Sequence, residues 1–191
     1  MENFESLVKG WAEQRDLLQK SNPLKQWQKL GEELGEMQKH LFKSLDIRDD
    51  IGDQAVVLNV IAAMLGVSTS ELVEVLDKHI NENKLDLNDD IAALKTPFEI
   101  AANITGANAD LGVALIQLYN LDSVEDEIAG EALTNVFGHM GLYTKLLNRM
   151  AEVSNATFSE CCEMAWADIS GRTGKTTDDG AFIKSNDEEA A

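Results

Sequence analysis

The chain has 191 residues and carries 34 acidic against 16 basic side chains, a formal charge of −18 at pH 7, which argues against the basic footprint that nucleic acid or an anionic membrane requires. With 44% hydrophobic residues and only two prolines it can bury a core and reads as helical, either one domain or two small packed halves. Its two cysteines, Cys161 and Cys162, are adjacent, and neither a basic-then-apolar leader nor an apolar stretch of ~18–20 residues is visible, so a soluble, reducing, cytoplasmic setting is the default expectation.

Residues 3–20, with Phe4, Leu7, Trp11, Leu17 and Leu18, fit an amphipathic helix. Asn22 then caps, and Pro23 opens, a second helix to about residue 44, with the apolar stripe Leu30, Leu34, Met37, Leu41. A third, from about 49 to 65, is apolar around most of its circumference, which predicts a central place in a bundle. Ser68 and Glu71 form a capping box that opens a fourth helix to about 81, and 82–90 reads as a polar linker. Pro97 opens a second set of helices over 97–105, 108–120 and 124–152. A second capping box, Thr157 with Glu160, opens a last helix to about 169. From Gly171 the composition predicts a loop or small hairpin, with disorder over 187–191.

A faint repeat runs through this order. Leu58 through Glu71 aligns without gaps on Leu147 through Glu160, and the same shift lays Gly52 on Gly141. Upstream, Pro23 and its helix correspond to Pro97 and its helices, with an insertion between. Duplication and a chance likeness of two Leu-rich helices followed by capped helices are both open on sequence alone.

The most informative stretch lies in the second and third helices. Glu33 and Glu36 are three apart, so their side chains are neighbours just off the edge of the apolar stripe. Asp50 and Asp53 repeat that spacing at the start of the next helix. If the two helices pack antiparallel, four carboxylates face one another. Two like charges about 4 Å apart cost on the order of 4 kcal/mol at an effective dielectric near 20, and a hard divalent cation with oxygen ligands relieves that cost. Either pair alone has an ordinary explanation, since Glu favours helices and Asp49 and Asp50 suit a helix start. Both pairs together on consecutive helices favour a metal site. A di-iron bundle is disfavoured because none of His40, His79 and His139 has a Glu three residues before it.

Glu32, Glu33 and Glu36, a thirteen-residue spacer, then Asp50 and Asp53, resemble the E-E-x-x-E…E-x-x-D signature of MazG-like nucleotide pyrophosphohydrolases, all-α relatives of the dimeric dUTPases. Asp50 stands where the family carries Glu, which keeps the charge and shortens the reach. Gln26 and Lys29 match residues that phage-type members carry before the signature. Cys161, Met164, Ala165, Trp166, Ile169, Arg172, Gly174, Lys175, Gly180, Phe182, Ile183 and Lys184 also look like the tail of the short phage proteins. The resemblance is specific over 22–80 and 157–184 and weak over 85–150. It implies an all-α MazG-like bundle in tandem, pseudo-dimeric form: a catalytic half over 1–84, a degenerate half or insert over 85–170, and a basic-then-acidic tail over 171–191. The second half does not keep the acids. The gapless shift sets His139 and Leu142 at the places of Asp50 and Asp53, and Asp122 and Glu125 opposite Glu33 and Glu36, whereas the Pro97 register offers Ala107 and Asp110. One active site per chain follows as an expectation, with the second half standing in for a partner subunit.

The activity implied is hydrolysis of a nucleoside triphosphate to the monophosphate and pyrophosphate, with Mg²⁺ (or Mn²⁺) held by Glu33, Glu36, Asp50 and Asp53. Glu32 is the candidate to orient or deprotonate the attacking water. Lys29, Arg172 and Lys175 are candidates for phosphate, Gln26 or Asn59 for sugar or base, and Trp27 for stacking on a base. Arg172 to Thr176 is not a Walker loop, which needs Gly at the place of Ile169; it reads as a mobile basic tail over the phosphates or as a plain solvated one. The partners implied are a nucleoside triphosphate and no nucleic acid or membrane, in a monomeric pseudo-dimer or a homodimer. A dUTPase or dCTPase on the same scaffold, and a non-catalytic nucleotide- or protein-binding module, are the rival readings.

Overall fold

The computed structural model describes residues 2–121 and 126–185. Among these the chain is mostly helical, with nine helices and one small hairpin. The first predicted helix is two: α1 (Glu2–Glu13) and α2 (Leu17–Lys20), broken where Asp16 adopts a left-handed backbone at φ 56°. α3 (Pro23–Phe42) opens as expected, Asn22 accepting from the Lys25 N–H with Pro23 at the first turn. α4 (Arg48–Met64) follows, and twelve of its residues from Asp50 to Ala62 are buried, which is why its sequence shows no polar face.

α5 (Thr69–Asn83) and α9 (Phe158–Ile169) both start on complete capping boxes. The expected linker is instead the end of α5 and a further helix, α6 (Leu87–Ala93). The two helices expected after Pro97 are one, α7 (Pro97–Tyr119), which runs through Gly106 without a break. α8 (Asp126–Val153) leads to α9, and the tail forms β1 (Gly174–Thr176) paired antiparallel with β2 (Phe182–Lys184). Residues 187–191, expected to be disordered, lie outside the described residues, as do Asp122 and Glu125. Among the described residues no single helix is long and apolar enough to cross a membrane.

The packing repeats itself with an exchange. α3 packs on α4 and α7 on α8, but α4 takes α9 as its third neighbour while α8 takes α5. A methyl group on Gly52 would collide with the backbone carbonyl of Cys161 and lie 2.7 Å from Ala165 Cβ; one on Gly141 would lie 2.8 Å from the carbonyl oxygen of Leu72 and 3.2 Å from Leu76 Cβ. These are the same contacts displaced by a constant offset along the chain. Gln54 and Tyr143 stand 89 residues apart, the offset itself, and touch: the buried Tyr143 hydroxyl donates to Gln54 Oε1 at 2.7 Å.

Burial also decides which residues of α7 correspond to α3. Pro23, Gln26, Leu30, Glu33 and Met37 are buried on α3, and Ile100, Ile104, Ala107 and Leu111 are buried at matching spacing on α7 when Pro97 is laid on Pro23. The Pro97 register therefore fits the packing, and it sets Ala107 opposite Glu33 and Asp110 opposite Glu36. α3 and α7 cross directly: Trp27 donates from its indole to the carbonyl of Asn108 at 2.8 Å, its ring fitting the notch left by Gly112.

Candidate functional site

The four acids of the signature lie on the α3–α4 seam. Glu33 and Asp50 are buried at 7% and 5% exposure, Asp53 is partly buried, and Glu36 is exposed. They are near enough to act on one another through space. Asp53 is pushed up from 3.8 to about 7, first by burial and then by the charges of Glu33, Asp49 and Asp50, with Arg172 pulling the other way. Burial also raises Asp50; its hydrogen bond to His40 lowers it, and Asp49 and Glu36 raise it further.

Lys29 and His40 are the side chains that meet these carboxylates. Lys29 Nζ lies 2.7 Å from Glu33 and 3.0 Å from Glu32. Burial works against the Lys29 charge, but the Glu33 and Glu32 carboxylates outweigh it and hold its pKa above the ordinary lysine value. His40 donates from Nδ1 to Asp50 at 2.8 Å. Among the described residues no three His, Cys, Asp or Glu side chains are gathered so as to hold an ion together. The donor chemistry nonetheless suits a hard cation: oxygen ligands alone, on two packed helices, with one carboxyl raised to about 7 first by burial and then by its like-charged neighbours. His40 did not stand out in the sequence. The signal was there, because Glu33, Glu36 and His40 follow one another at helical spacing on α3.

The other candidates divide. Glu32 is exposed and pairs with Lys29. Gln26 is buried and donates to Ser21 Oγ at 2.9 Å. Asn59 faces elsewhere: its amide donates to the Ala55 carbonyl and its oxygen accepts from Thr69, in a network with Glu5 of α1. Trp27 is committed to α7 through Asn108. Arg172 is ion-paired with Asp168 and lies within electrostatic reach of Asp53.

Lys175 sits exposed on β1, and the hairpin that carries it is docked rather than loose. Trp11 donates to the Ile169 carbonyl at 3.0 Å, Arg15 donates to the Arg172 carbonyl, and Thr176 donates to the Arg15 carbonyl at 2.6 Å. Gly180, at φ 87°, brings the turn against the backbone of Lys20 and Ser21. In the second half Ala107, Asp110, His139 and Leu142 occupy the four equivalent places, and α6 lies beside them, where Leu87, Asp90, Ile91 and Leu94 line a cleft with Ala107, Asp110 and Leu142.

The titration of Asp53 has a measurable consequence. Its folded value lies above its unfolded one, so between about pH 4 and pH 7 the folded chain keeps a proton that the unfolded chain has released. Stability therefore falls as pH rises through that window and levels off above it. The groups facing Asp53 are Glu33 from α3, Asp49 and Asp50 from α4, and Arg172 after α9. In a chelator, the melting temperature is expected to drop between pH 5 and pH 7.5, and Asp53→Asn is expected to flatten that slope. An unchanged slope in the variant would show that Asp53 is not the titrating group.

No family model matches the chain, and no curated protein or solved structure matches it.

Proposed function

We propose that the chain is a Mg²⁺-dependent nucleoside triphosphate pyrophosphohydrolase of the MazG-like kind, built as a tandem of two related helical units of which only the first carries the acids. The observation that supports it best is the placing of Glu33 and Asp50, buried, Asp53, partly buried, and Glu36, exposed, on the two helices α3 and α4 that pack on each other. Glu33, Glu36, Asp50 and Asp53 would hold Mg²⁺, or Mn²⁺ in its place; when bound it supplies positive charge at the phosphate oxygens. The chain's own residues do the rest. Lys29, released from Glu33, and Arg172, beside Asp53, bind phosphate oxygens. Glu32, freed when Lys29 turns to substrate, orients or deprotonates the attacking water. Tyr143, buried and donating to Gln54, fixes the core behind Asp50, whose carbonyl accepts from Gln54 at 3.0 Å. The exchange of third helices between the units supports the tandem reading, since the second unit then occupies the place of a partner subunit.

A specific observation favours a second reading, a non-catalytic module: Lys29 already pairs with Glu33 and His40 already hydrogen-bonds Asp50, so two of the four carboxylates are engaged. One experiment separates the readings. The full chain is incubated with Mg²⁺ or Mn²⁺ and each common ribo- and deoxyribonucleoside triphosphate, and pyrophosphate is scored against orthophosphate. Pyrophosphate release is the expected result, and its spread over bases distinguishes a broad enzyme from a dUTPase or dCTPase. Orthophosphate would assign cleavage at the γ-phosphate and a different enzyme class, and no turnover at all would leave the non-catalytic module.

A further inference from the structure

α3 and α7 run antiparallel to each other: Trp27 reaches Asn108 towards one end of the crossing, and Gln38 donates to Thr105 Oγ1 at 2.8 Å towards the other. Gln38 and Thr105 are both exposed, so the outer sides of the two helices adjoin on the surface. On α7, Phe98, Ala102, Thr105, Ala109, Val113 and Ile116 fall within roughly 80° of the helix circumference, and none is buried. On α3, Leu24, Gln28, Gly31, Gly35, Gln38 and Phe42 form a band of the same width, again with none buried. Neither band holds a charge, on a chain with 26% charged residues and a net charge of −18. The charges of α3 stand on its far flank instead, at Lys25, Lys29, Glu32 and Lys43.

The two bands share a profile. When Pro97 is laid on Pro23, Leu24, Gly31, Gly35 and Phe42 match Phe98, Thr105, Ala109 and Ile116: bulky, small, small, bulky. Because the helices are antiparallel, Phe42 comes to the Phe98 end and Leu24 to the Ile116 end. A trough of small residues thus lies between two bulky rims. Phe42 is 86% exposed and Phe98 67%, a large aromatic surface that the chain by itself leaves in water. Gly35, in the floor, has nothing within 4 Å of an added methyl group. A glycine inside a helix weakens it, and no contact among the described residues requires this one.

We infer that this platform is a self-association surface, on which a second copy of the chain seats its own α3 and α7 at right angles about a two-fold axis. The dimensions fit that occupant. Leu24 and Phe42, like Phe98 and Ile116, stand 18 residues apart, about 27 Å at the rise of a helix. Two helices packed side by side are about 20 Å across, so each pair fits between the rims of the other. A platform of that size buries on the order of 700 Å² a side, close to the ~800 Å² of a stable interface. Two copies that each carry −18 repel, and a face without charge is where they meet at least cost. Gly35 lets the crossing backbones come close. The inference stands whether or not the carboxylate seam is catalytic.

Sedimentation equilibrium of the full chain tests it. The mass is expected to rise with concentration from 21.0 kDa to twice that value, and added salt should strengthen association by screening the repulsion. Val113→Lys puts a charge into the α7 band and Ala109→Phe puts bulk into the trough. Both positions are exposed, so both variants should melt as the native monomer does. Each is expected to weaken dimerisation by roughly tenfold or more. Val75→Lys, on α5 at nearly the same exposure as Val113 and outside the platform, should dimerise like the native chain. Gly35→Ala should melt higher as a monomer yet dimerise more weakly, opposite signs that a role confined to the single chain does not produce. A native chain that stays monomeric at every concentration would leave the platform to a different protein and overturn the inference. So would a dimer that tolerates both Val113→Lys and Ala109→Phe, or one that Val75→Lys breaks equally, since either would place the contact elsewhere.

Discussion

Asp53→Asn and Glu36→Gln are each expected to abolish Mg²⁺-dependent pyrophosphate release while far-UV circular dichroism stays that of the native helical chain. The expected loss is roughly 10³-fold or more, the scale on which several kcal/mol of lost charge stabilisation reads out as rate. The two substitutions differ in what they do to the fold. Glu36 is exposed, so its amide leaves stability nearly unchanged. Asp53 is partly buried among Glu33, Asp49 and Asp50, and an amide there removes a charge that those neighbours oppose. Asp53→Asn is therefore expected to melt higher than the native chain at pH 8 in a chelator, although it has lost its activity. A dead and more stable variant is the signature of a site whose charge is kept for function and not for folding. Native-like turnover in either variant would remove the carboxylate seam from the reaction; loss of activity with loss of fold would assign these residues to structure.

Much of the seam was legible because helical periodicity is local. Three-residue spacing sets Glu33 beside Glu36 and Asp50 beside Asp53 whatever the rest of the chain does, and the caps at Asn22, Ser68 and Thr157 are set by neighbours within one turn. What escaped the sequence depends on tertiary partners. His40 meets Asp50 across the α3–α4 seam, a partner that its local spacing on the Glu33 and Glu36 face does not name, whereas the Lys29 pairs with Glu32 and Glu33 are local ones at three- and four-residue spacing. α6 was hidden because its Asn and Asp residues read as linker, while Leu87, Ile91 and Leu94 acquire a helical role only against α7 and α8. The break before α2 rests on a left-handed Asp16, a conformation more often marked by glycine. Asn59 drew notice as a polar residue in an apolar run, and it is spent instead on Thr69 and Ala55, the ordinary fate of a buried amide. The packing of α9 on α4 and of α5 on α8 could not be read at all, since either helix satisfies the same apolar faces.

Gly52 tests that exchange through stability. It sits in the second turn of α4, where alanine would ordinarily gain about 1 kcal/mol from helix propensity. Here the added methyl runs into the Cys161 carbonyl and comes within 2.7 Å of Ala165 Cβ, and a backbone carbonyl inside a helix cannot rotate aside. α9 must move off α4 along its length, exposing part of the contact between two of the most heavily buried helices in the chain. Gly52→Ala is expected to cost about 3 kcal/mol net, at the upper end of overpacking, which is roughly a 6–12 °C fall in melting temperature for a chain of this size. Gly141→Ala meets the equivalent carbonyl of Leu72 at 2.8 Å and the Cβ of Leu76 at 3.2 Å, so the same substitution in the second unit should cost less but carry the same sign. Gly10→Ala on α1 has nothing within 4 Å of the new methyl and should stabilise by about 0.5–1 kcal/mol. If α9 instead packed on its own neighbour α8 and left α4 free, Gly52→Ala would behave as Gly10→Ala does. Thermal melts of the three variants thus decide between an exchanged and an unexchanged arrangement.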